Sequence, residues 1–160
     1  MMNVVIDTDV LSTFIKINKL DLLQGLFAKT WILLTPAVYR ELRSGQRQGI
    51  IRFTLGKRFS KISLEQAEKR VVKEMANKGM SRADSECIAV AQRRNCLLVT
   101  NDTDLKKEAA RVSIDYVDLP SLLRMLWKSK IMSKTQVEDL IAEIEKKDDV
   151  VIKNKGLILR

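Results

Sequence analysis

Histidine is absent from the 160-residue sequence. Histidine is the side chain that enzymes use most often as a general acid or base, so its absence excludes most acid–base hydrolytic mechanisms. If the protein is a hydrolase, its chemistry has to run on carboxylates and a bound metal ion. The absence therefore directs attention to the acidic residues.

Cysteines and long apolar runs are also scarce. The two cysteines, Cys87 and Cys96, form neither a CxxC pair nor a disulfide framework. We expect both to be buried and reduced, which predicts a cytoplasmic location. No apolar run approaches the ~20 residues that span a bilayer, and the opening MMNVVID lacks the basic region of a secretory signal. We therefore expect no membrane association.

Two short apolar runs each end in a pair of aspartates. VVIDTDVL carries Asp7 and Asp9, and CLLVTNDTDL carries Asp102 and Asp104. Each run predicts a buried strand, and ligands of open α/β sheets bind just beyond the carboxyl ends of the strands. The two pairs therefore predict a cation site at that edge. Asp7 is the hardest to explain otherwise, because a carboxylate that ends a wholly apolar strand needs a partner.

Apolar patterns predict that strands and helices alternate along the chain. The predicted strands are residues 3–6, 31–35, 96–100 and 113–117, with a short edge strand at residues 62–64. The predicted helices follow Asp9, cover residues 19–27 and 36–45, follow capping boxes at residues 63–66 and 81–84, and cover residues 104–110. This alternation predicts a three-layer α/β/α fold with a central, mostly parallel sheet.

The character of the sequence changes after Asp118. We predict a core at residues 1–118 and a helical extension at residues 119–160, packed on the same domain. Within the extension, residues 119–130 and 133–147 have the spacing of amphipathic helices, the second opened by a capping box at Ser133. Residues 148–160 predict an extra strand or a hairpin.

The formal net charge of +9 suits a polyanionic partner and a solvated lysine-rich surface equally well, and the distribution of the cations favours the partner. Residues 43–61, here called the basic segment, contain six cations and no acid. Interleaved Phe53 and Phe59 suit a single-stranded nucleic acid, although each phenylalanine can equally well fill the core. We predict that RNA is bound by Arg43, Arg47, Arg52, Lys57, Arg58 and Lys61.

Two further acids lie on predicted helices beside apolar positions. Glu41 is in register with Val38 and Leu42, and Asp84 lies one turn before Ile88. With Asp7 and Asp102 they form a predicted cluster of four carboxylates. Taken alone, Glu41 is explained as a solvated helix residue and Asp84 as part of its capping box. The hypothesis depends on all four acids occurring together.

The other acids have a structural explanation of their own. We expect Asp9 to cap the helix that follows it, and for Asp104 a cap and a metal ligand are equally open. Glu86 is also expected near the site. Oxygen-only ligands suit Mg²⁺ or Mn²⁺, which keep positions for water and a phosphate. The predicted substrate is therefore a phosphodiester, hydrolysed by activated water.

These motifs resemble those of PIN-domain nucleases. VVIDTDVLSTF resembles the first motif of that family with Asp7, and PAVYREL the second with Glu41. RADSECIAVA resembles the third with Asp84, and Glu86 stands where a subset has a further acid. LVTNDTDL resembles the fourth. It matches Asp102, secondarily Asp104, and Thr100 as the family hydroxyl, whereas Asp9 stands where a small Ser, Thr or Asn is usual. The order of the four motifs along residues 4–105 makes the resemblance more specific than any one motif.

The resemblance implies a Mg²⁺- or Mn²⁺-dependent endoribonuclease that leaves a 5′-phosphate. It implies catalysis and metal binding by Asp7, Glu41, Asp84 and Asp102, with Asp9, Ser12 and Thr100 around these ligands. Many small prokaryotic members are toxins of the VapC type, which implies an antitoxin protein and a homodimer as partners. Others process RNA without a toxin role. Residues 119–160 extend beyond the minimal domain.

Two other functions stay open from the sequence. DTDVL after apolar residues is similar to the first motif of haloacid-dehalogenase-like phosphohydrolases, with Asp7 as nucleophile and Asp9 as acid and base. That family expects a glycine where Asn101 stands, and it leaves Glu41 and Asp84 unexplained. The third reading is a non-catalytic RNA-binding protein of the same fold, which the basic segment supports.

Overall fold

The computed structural model describes residues 2–160 and contains one five-stranded sheet in that range. The strands are β1 (Val4–Ile6), β2 (Ile32–Leu34), β3 (Phe59–Lys61), β4 (Leu97–Val99) and β5 (Tyr116–Val117). All neighbouring strands are parallel, and their order is β3-β2-β1-β4-β5. The sheet confirms the predicted α/β/α fold and is parallel throughout, because every connection crosses back through a helix.

The helices account for most of the remaining chain. They are α1 (Thr8–Lys16), α2 (Leu20–Leu26), α3 (Pro36–Arg47), α4 (Gln66–Asn77), α5 (Arg82–Arg94), α6 (Thr103–Arg111), α7 (Leu119–Lys128), α8 (Lys134–Lys147) and α9 (Lys155–Ile158). Helix α1 contacts α2, α3 and α8, whereas α5 packs mainly on α4 and also contacts α3 and α6. Right-handed crossovers place α1, α2 and α3 on one face and α4, α5 and α6 on the other, because the chain crosses the sheet in one direction from β1 to β3 and in the opposite direction from β3 to β5.

The core is one hydrophobic cluster that includes residues from both the sheet and the C-terminal helices. Each residue of β1 and β2 is buried, as expected for strands covered on both faces. Leu122, Leu126, Val137 and Ile144 of α7 and α8 belong to the same cluster. Cys87 and Cys96 are free and buried, as predicted. Within the described residues, no helix is both long and apolar enough to cross a membrane.

Three local predictions were wrong. The edge strand is Phe59–Lys61 and not residues 62–64, because Lys61 pairs with Leu34 at the end of β2. Helix α4 is capped by Glu65, whose carboxylate forms a capping box with Glu68, and not by a box at residues 63–66. Helix α3 continues past Gly45 to Arg47.

The predicted C-terminal strand or hairpin is also absent from residues 148–160. This segment runs without regular structure into the single turn α9. The backbone N–H of Ile152 donates to Glu145 Oε2 at 3.0 Å, instead of to a neighbouring strand. Ile152 and Ile158 are buried in the common core. The apolar pattern that predicts a strand here therefore serves to anchor an irregular segment.

Candidate active site

Two aspartates lie where the strand order of the sheet reverses. Asp7 follows β1, and its backbone N–H donates to the carbonyl of Val99 at the end of β4 at 3.0 Å. Asp102 lies three residues beyond β4. In open parallel sheets, the crevice at the carboxyl ends of the strands on either side of such a reversal is the usual ligand site. The strand ends thus bring the two predicted acids to one crevice.

The carboxylate of Asp7 is buried, with 4% of the residue exposed. Its Oδ1 accepts the N–H of Val10 at 2.9 Å, and its Oδ2 accepts the hydroxyl of Thr100 at 2.5 Å. Burial, together with the smaller effects of the charges of Asp9 and Asp84, raises the pKa of Asp7 to about 7, although the bonds from Thr100 and Val10 oppose the shift. The free carboxyl group therefore holds a proton up to near neutral pH unless a cation stabilises its charge.

Asp84 lies in the first turn of α5, behind the Ser81 cap. Burial raises the pKa of Asp84, and the Ser81 hydroxyl partly offsets this effect. The charges of Asp102, Asp9 and Glu41 raise the pKa of Asp84 as well. Asp84 therefore lies within electrostatic reach of acids from three other helices.

These electrostatic effects define an acidic cluster, whose members are Asp7, Asp9, Glu41, Asp84 and Asp102. Glu41 is exposed in the second turn of α3, a helix that the Thr35 cap starts at the end of β2. The structure brings all four predicted catalytic acids into this cluster and adds Asp9 to them. Repulsion among five carboxylates at one edge favours a bound cation.

The predicted helix caps were assigned to the wrong aspartates. Asp7 itself caps α1, and Asp102 caps α6 by accepting the N–H of Leu105 at 2.7 Å. Asp9 and Asp104 lie in the first turns of these helices, and both are exposed. The helices start directly after the strand ends, so the first acid of each pair is already at the capping position. The cap of α6 uses one carboxylate oxygen of Asp102 and leaves the other free of the helix. Both carboxylate oxygens of Asp7, in contrast, accept hydrogen bonds.

Thr100 connects the two capping aspartates. Its side chain is fully buried, donates to Asp7, and accepts the N–H of Asp102 at 3.1 Å. Ser12 is half-buried on α1, one turn after Asp9, and lines the same cavity as Asp9 and Asp102. The positions of Thr100 and Ser12 suit their predicted place around the acids.

Glu86 has other partners. It is completely buried, and its Oε1 accepts the N–H of Ala37 at 2.8 Å while its Oε2 accepts Arg82 Nε at 2.6 Å. Glu86 therefore fastens α5, which carries Asp84, to the first turn of α3, which carries Glu41. The only sequence signal for this role was the i,i+4 spacing of Arg82 and Glu86. A direct metal contact by Glu86 stays a prediction.

The donor chemistry of the cluster fits a hard divalent cation. All candidate ligands are oxygens, as Mg²⁺ and Mn²⁺ prefer. The Thr8 hydroxyl, which lies between Asp7 and Asp9 in the sequence, is buried without a hydrogen-bond partner in residues 2–160. In the same range, no three acidic or cysteine side chains converge as a closed ligand set. The arrangement thus suits an ion held by one or two carboxylates and completed by water.

Most of the basic segment lies at the amino ends of the strands, on the opposite side of the sheet from the acidic cluster. Helix α3 runs away from the carboxyl edge, and the chain re-enters the sheet at Phe59, which pairs with Ile32. Arg58 lies over the Trp31 ring, 5.6 Å from its centroid, at the amino ends of β2 and β3. Lys61 is at the carboxyl end, over Tyr39 at 4.7 Å. The structure therefore does not bring Arg47, Arg52, Lys57 or Arg58 to the acidic cluster.

The chain matches a known protein family. A family model described as a PIN domain matches residues 3–157. This span contains the whole acidic cluster and also α7, α8 and most of the segment behind them. No curated protein matches the chain.

Proposed function

The chain belongs to the PIN-domain family, whose members are generally nucleases, and we propose that it is a Mg²⁺- or Mn²⁺-dependent endoribonuclease. The buried carboxylate of Asp7, surrounded by four other acids at the strand-order reversal, is the observation that carries this proposal. A site without histidine that keeps five carboxylates together suits cation-assisted hydrolysis. Family membership favours this reaction over the haloacid-dehalogenase-like alternative.

We propose that one or two of Asp7, Asp84 and Asp102 bind the ion directly, and that the remaining acids, including Glu41, bind it through water. A bound Mg²⁺ or Mn²⁺ lowers the pKa of a water molecule and polarises a phosphoryl oxygen. Thr100 and the N–H of Val10 hold the Asp7 carboxylate in one orientation. Asp102 lines the cavity at this edge of the sheet, and its charge acts on the half-buried carboxylate of Asp84 at the start of α5.

The proposed reaction is an in-line hydrolysis of an RNA phosphodiester. Water attacks the phosphorus, the bond from phosphorus to O3′ breaks, and the products are a 5′-phosphate and a 3′-hydroxyl. Glu41 is exposed beside the other acids, which suits it to take the proton that the attacking water loses. Asp9 and Asp104 are proposed to tune the charge around the substrate.

The biological role of this nuclease is also a proposal. The site suits a toxin that an antitoxin protein keeps inactive, and it suits an RNA-processing enzyme equally well. A homodimer and a cytoplasmic location belong to the proposal, the latter because both thiols are free. Light scattering of the purified protein tests the dimer, and co-purification with the product of a neighbouring reading frame tests the antitoxin.

A labelled single-stranded RNA tests the nuclease. We expect cleavage with Mn²⁺, no cleavage with EDTA, and a loss of at least about a hundredfold for Asp7→Asn. Asp139→Asn is the matched control, because Asp139 is an exposed acid of α8 away from the cluster. Cleavage that survives EDTA or Asp7→Asn overturns the proposal.

Two other outcomes identify the alternatives. Phosphate release from a small phosphomonoester without RNA cleavage indicates the phosphohydrolase. Salt-sensitive RNA binding without any metal-dependent cleavage indicates a non-catalytic RNA-binding protein.

A further inference from the structure

A groove of about 940 Å³ begins at the acidic cluster and runs along α1. Asp9 and Asp102 line it at the cluster, and Lys16 lines it at the far end of α1. The first residues of α6 and α7 form one side. Residues 148–160, here called the C-terminal wall, contribute most of the other side. The groove therefore continues from the candidate site instead of forming a separate pocket.

The C-terminal wall is fixed to the domain at several points. Asp148 accepts the Thr13 hydroxyl at 2.5 Å and Lys16 Nζ at 2.6 Å. Lys155 forms a salt bridge with Glu145 at 2.6 Å. Trp127 Nε1 donates to the carbonyl of Ile158 at 2.7 Å. These contacts join the wall to α1, α7 and α8, so the groove has two built sides.

The charge of the groove becomes positive away from the cluster. Its outer acids already have cationic partners, since Asp148 pairs with Lys16 and Asp118 lies 3.6 Å from Lys106 Nζ. Arg124 and Lys153 line the groove, and neither pairs with an acidic side chain within residues 2–160, although Arg124 donates to the carbonyl of Arg160 at 3.4 Å. Two exposed cations thus flank a path that leads to a cation site. This arrangement is complementary to a chain of phosphates.

The C-terminal wall also presents apolar side chains to the groove. Val151 is 80% exposed and Leu157 is 53% exposed, and both line it. Apolar surface beside cations suits an unpaired strand, whose base faces are uncovered, better than a duplex, whose bases are stacked inside. The basic segment has similar chemistry but lies mostly at the other edge of the sheet.

We propose that this groove holds the unpaired RNA strand on one side of the cleaved phosphate. Arg124 and Lys153 contact its phosphates, and the C-terminal wall contacts its bases. The inference deepens the proposed nuclease function, because it names which part of this chain selects the substrate. It predicts that the end of the chain, and not the basic segment, determines the affinity for RNA.

The test compares charge reversals of equal size. In the first variant, Arg124→Glu is combined with Lys153→Glu, both at exposed positions. Binding of a labelled single-stranded RNA is measured with Ca²⁺ in place of the catalytic ion, at several salt concentrations. We expect Kd to rise at least about tenfold and the slope of log K against log salt to fall by about 1.4, for two lost phosphate contacts. In Mn²⁺, KM should rise while kcat changes less than about twofold.

Two further double variants complete the comparison. Arg70→Glu with Lys73→Glu, on the exposed side of α4, is the matched control and should leave Kd unchanged. Arg47→Glu with Lys57→Glu tests the basic segment. Wild-type affinity for the groove variant, or a larger loss for the basic-segment variant, overturns the inference. Thermal unfolding verifies that each variant folds.

A single variant tests the C-terminal wall itself. Val151→Glu changes a side chain that is already 80% exposed, so the fold is retained. It should weaken binding of the single strand by at least about threefold, and a duplex of the same sequence should bind more weakly than the single strand to the wild type. Equal affinities in either comparison overturn the role of the wall. Since these measurements report binding, they stand apart from the Asp7-dependent cleavage that tests the nuclease.

Discussion

Substitution of Asp7 by Asn should change how the stability of the metal-free protein depends on pH. Burial raises the pKa of Asp7 from 3.8 to about 7. Between these values the folded protein keeps a proton that the unfolded chain has released. The free energy of unfolding therefore decreases as the pH rises from about 4 to about 7, and the full penalty is present above pH 7. Below pH 4 both states are protonated and the penalty disappears.

The magnitude follows from the size of the pKa shift. A rise of about three units, at ~1.36 kcal/mol each, gives an upper value of about 4 kcal/mol at pH 8. Asn has no charge to bury and still caps α1. It keeps only one of the two hydrogen bonds that Asp7 makes with Thr100 and Val10, and the loss of the other costs about 1 kcal/mol. We therefore expect Asp7→Asn to be about 2 to 3 kcal/mol more stable than the wild type at pH 8 in EDTA. At pH 4 it should be about 1 kcal/mol less stable.

Urea unfolding in EDTA and in MnCl₂ measures both effects. Mn²⁺ should stabilise the wild type by ~2.7 kcal/mol at a hundred times its Kd, and Asp7→Asn much less. Asp139→Asn serves again as the control, with a pH dependence parallel to that of the wild type. If wild type and Asp7→Asn show parallel curves from pH 4 to pH 8 in EDTA, the account of the buried carboxylate is refuted.

Two other substitutions test the supports of the site. Thr100→Val removes the hydroxyl that lowers the pKa of Asp7. The pH at which metal-dependent cleavage reaches half its maximum should therefore move upward in a pH–rate profile. An unchanged profile contradicts this role of Thr100. Arg82→Met leaves the fully buried Glu86 charge uncompensated and should destabilise the protein by about 3 kcal/mol, whereas Glu86→Gln should cost about 1 kcal/mol. Urea unfolding compares the two, and equal losses would show that the charge of Glu86 is not held by Arg82.

The sequence was a sound guide where one strong pattern determines the structure. Apolar runs covered on both faces and separated by amphipathic helices predict a parallel sheet, and acids directly after β1 and β4 must then share its carboxyl edge. The spacing of Glu41 and Asp84 beside apolar positions of their helices was enough to predict them as candidate site residues.

Other features depended on distances that a linear pattern does not contain. In both aspartate pairs either acid is a good helix cap. Asp7 becomes the cap of α1 because β1 ends at Ile6 and the helix starts directly afterwards, and the sequence pattern does not show where the strand ends. The cations of residues 43–61 are close in sequence, but α3 carries most of them to the far edge of the sheet. The apolar residues of the C-terminal wall bury against helices, so the same pattern that forms a strand elsewhere anchors a loop here.

The double role of Asp7 limits how this protein can lose its activity by mutation. The same side chain starts α1 and supplies the most buried carboxylate of the site. Replacement by Ala or a larger apolar residue removes the cap as well as the chemistry, and leaves the protein about 1 kcal/mol less stable than replacement by Asn. Replacement by Asn or Ser removes the chemistry but keeps the cap. Inactive descendants of this sequence should therefore accumulate Asn or Ser at position 7, and this residue distinguishes a gene that has changed function from one that is decaying.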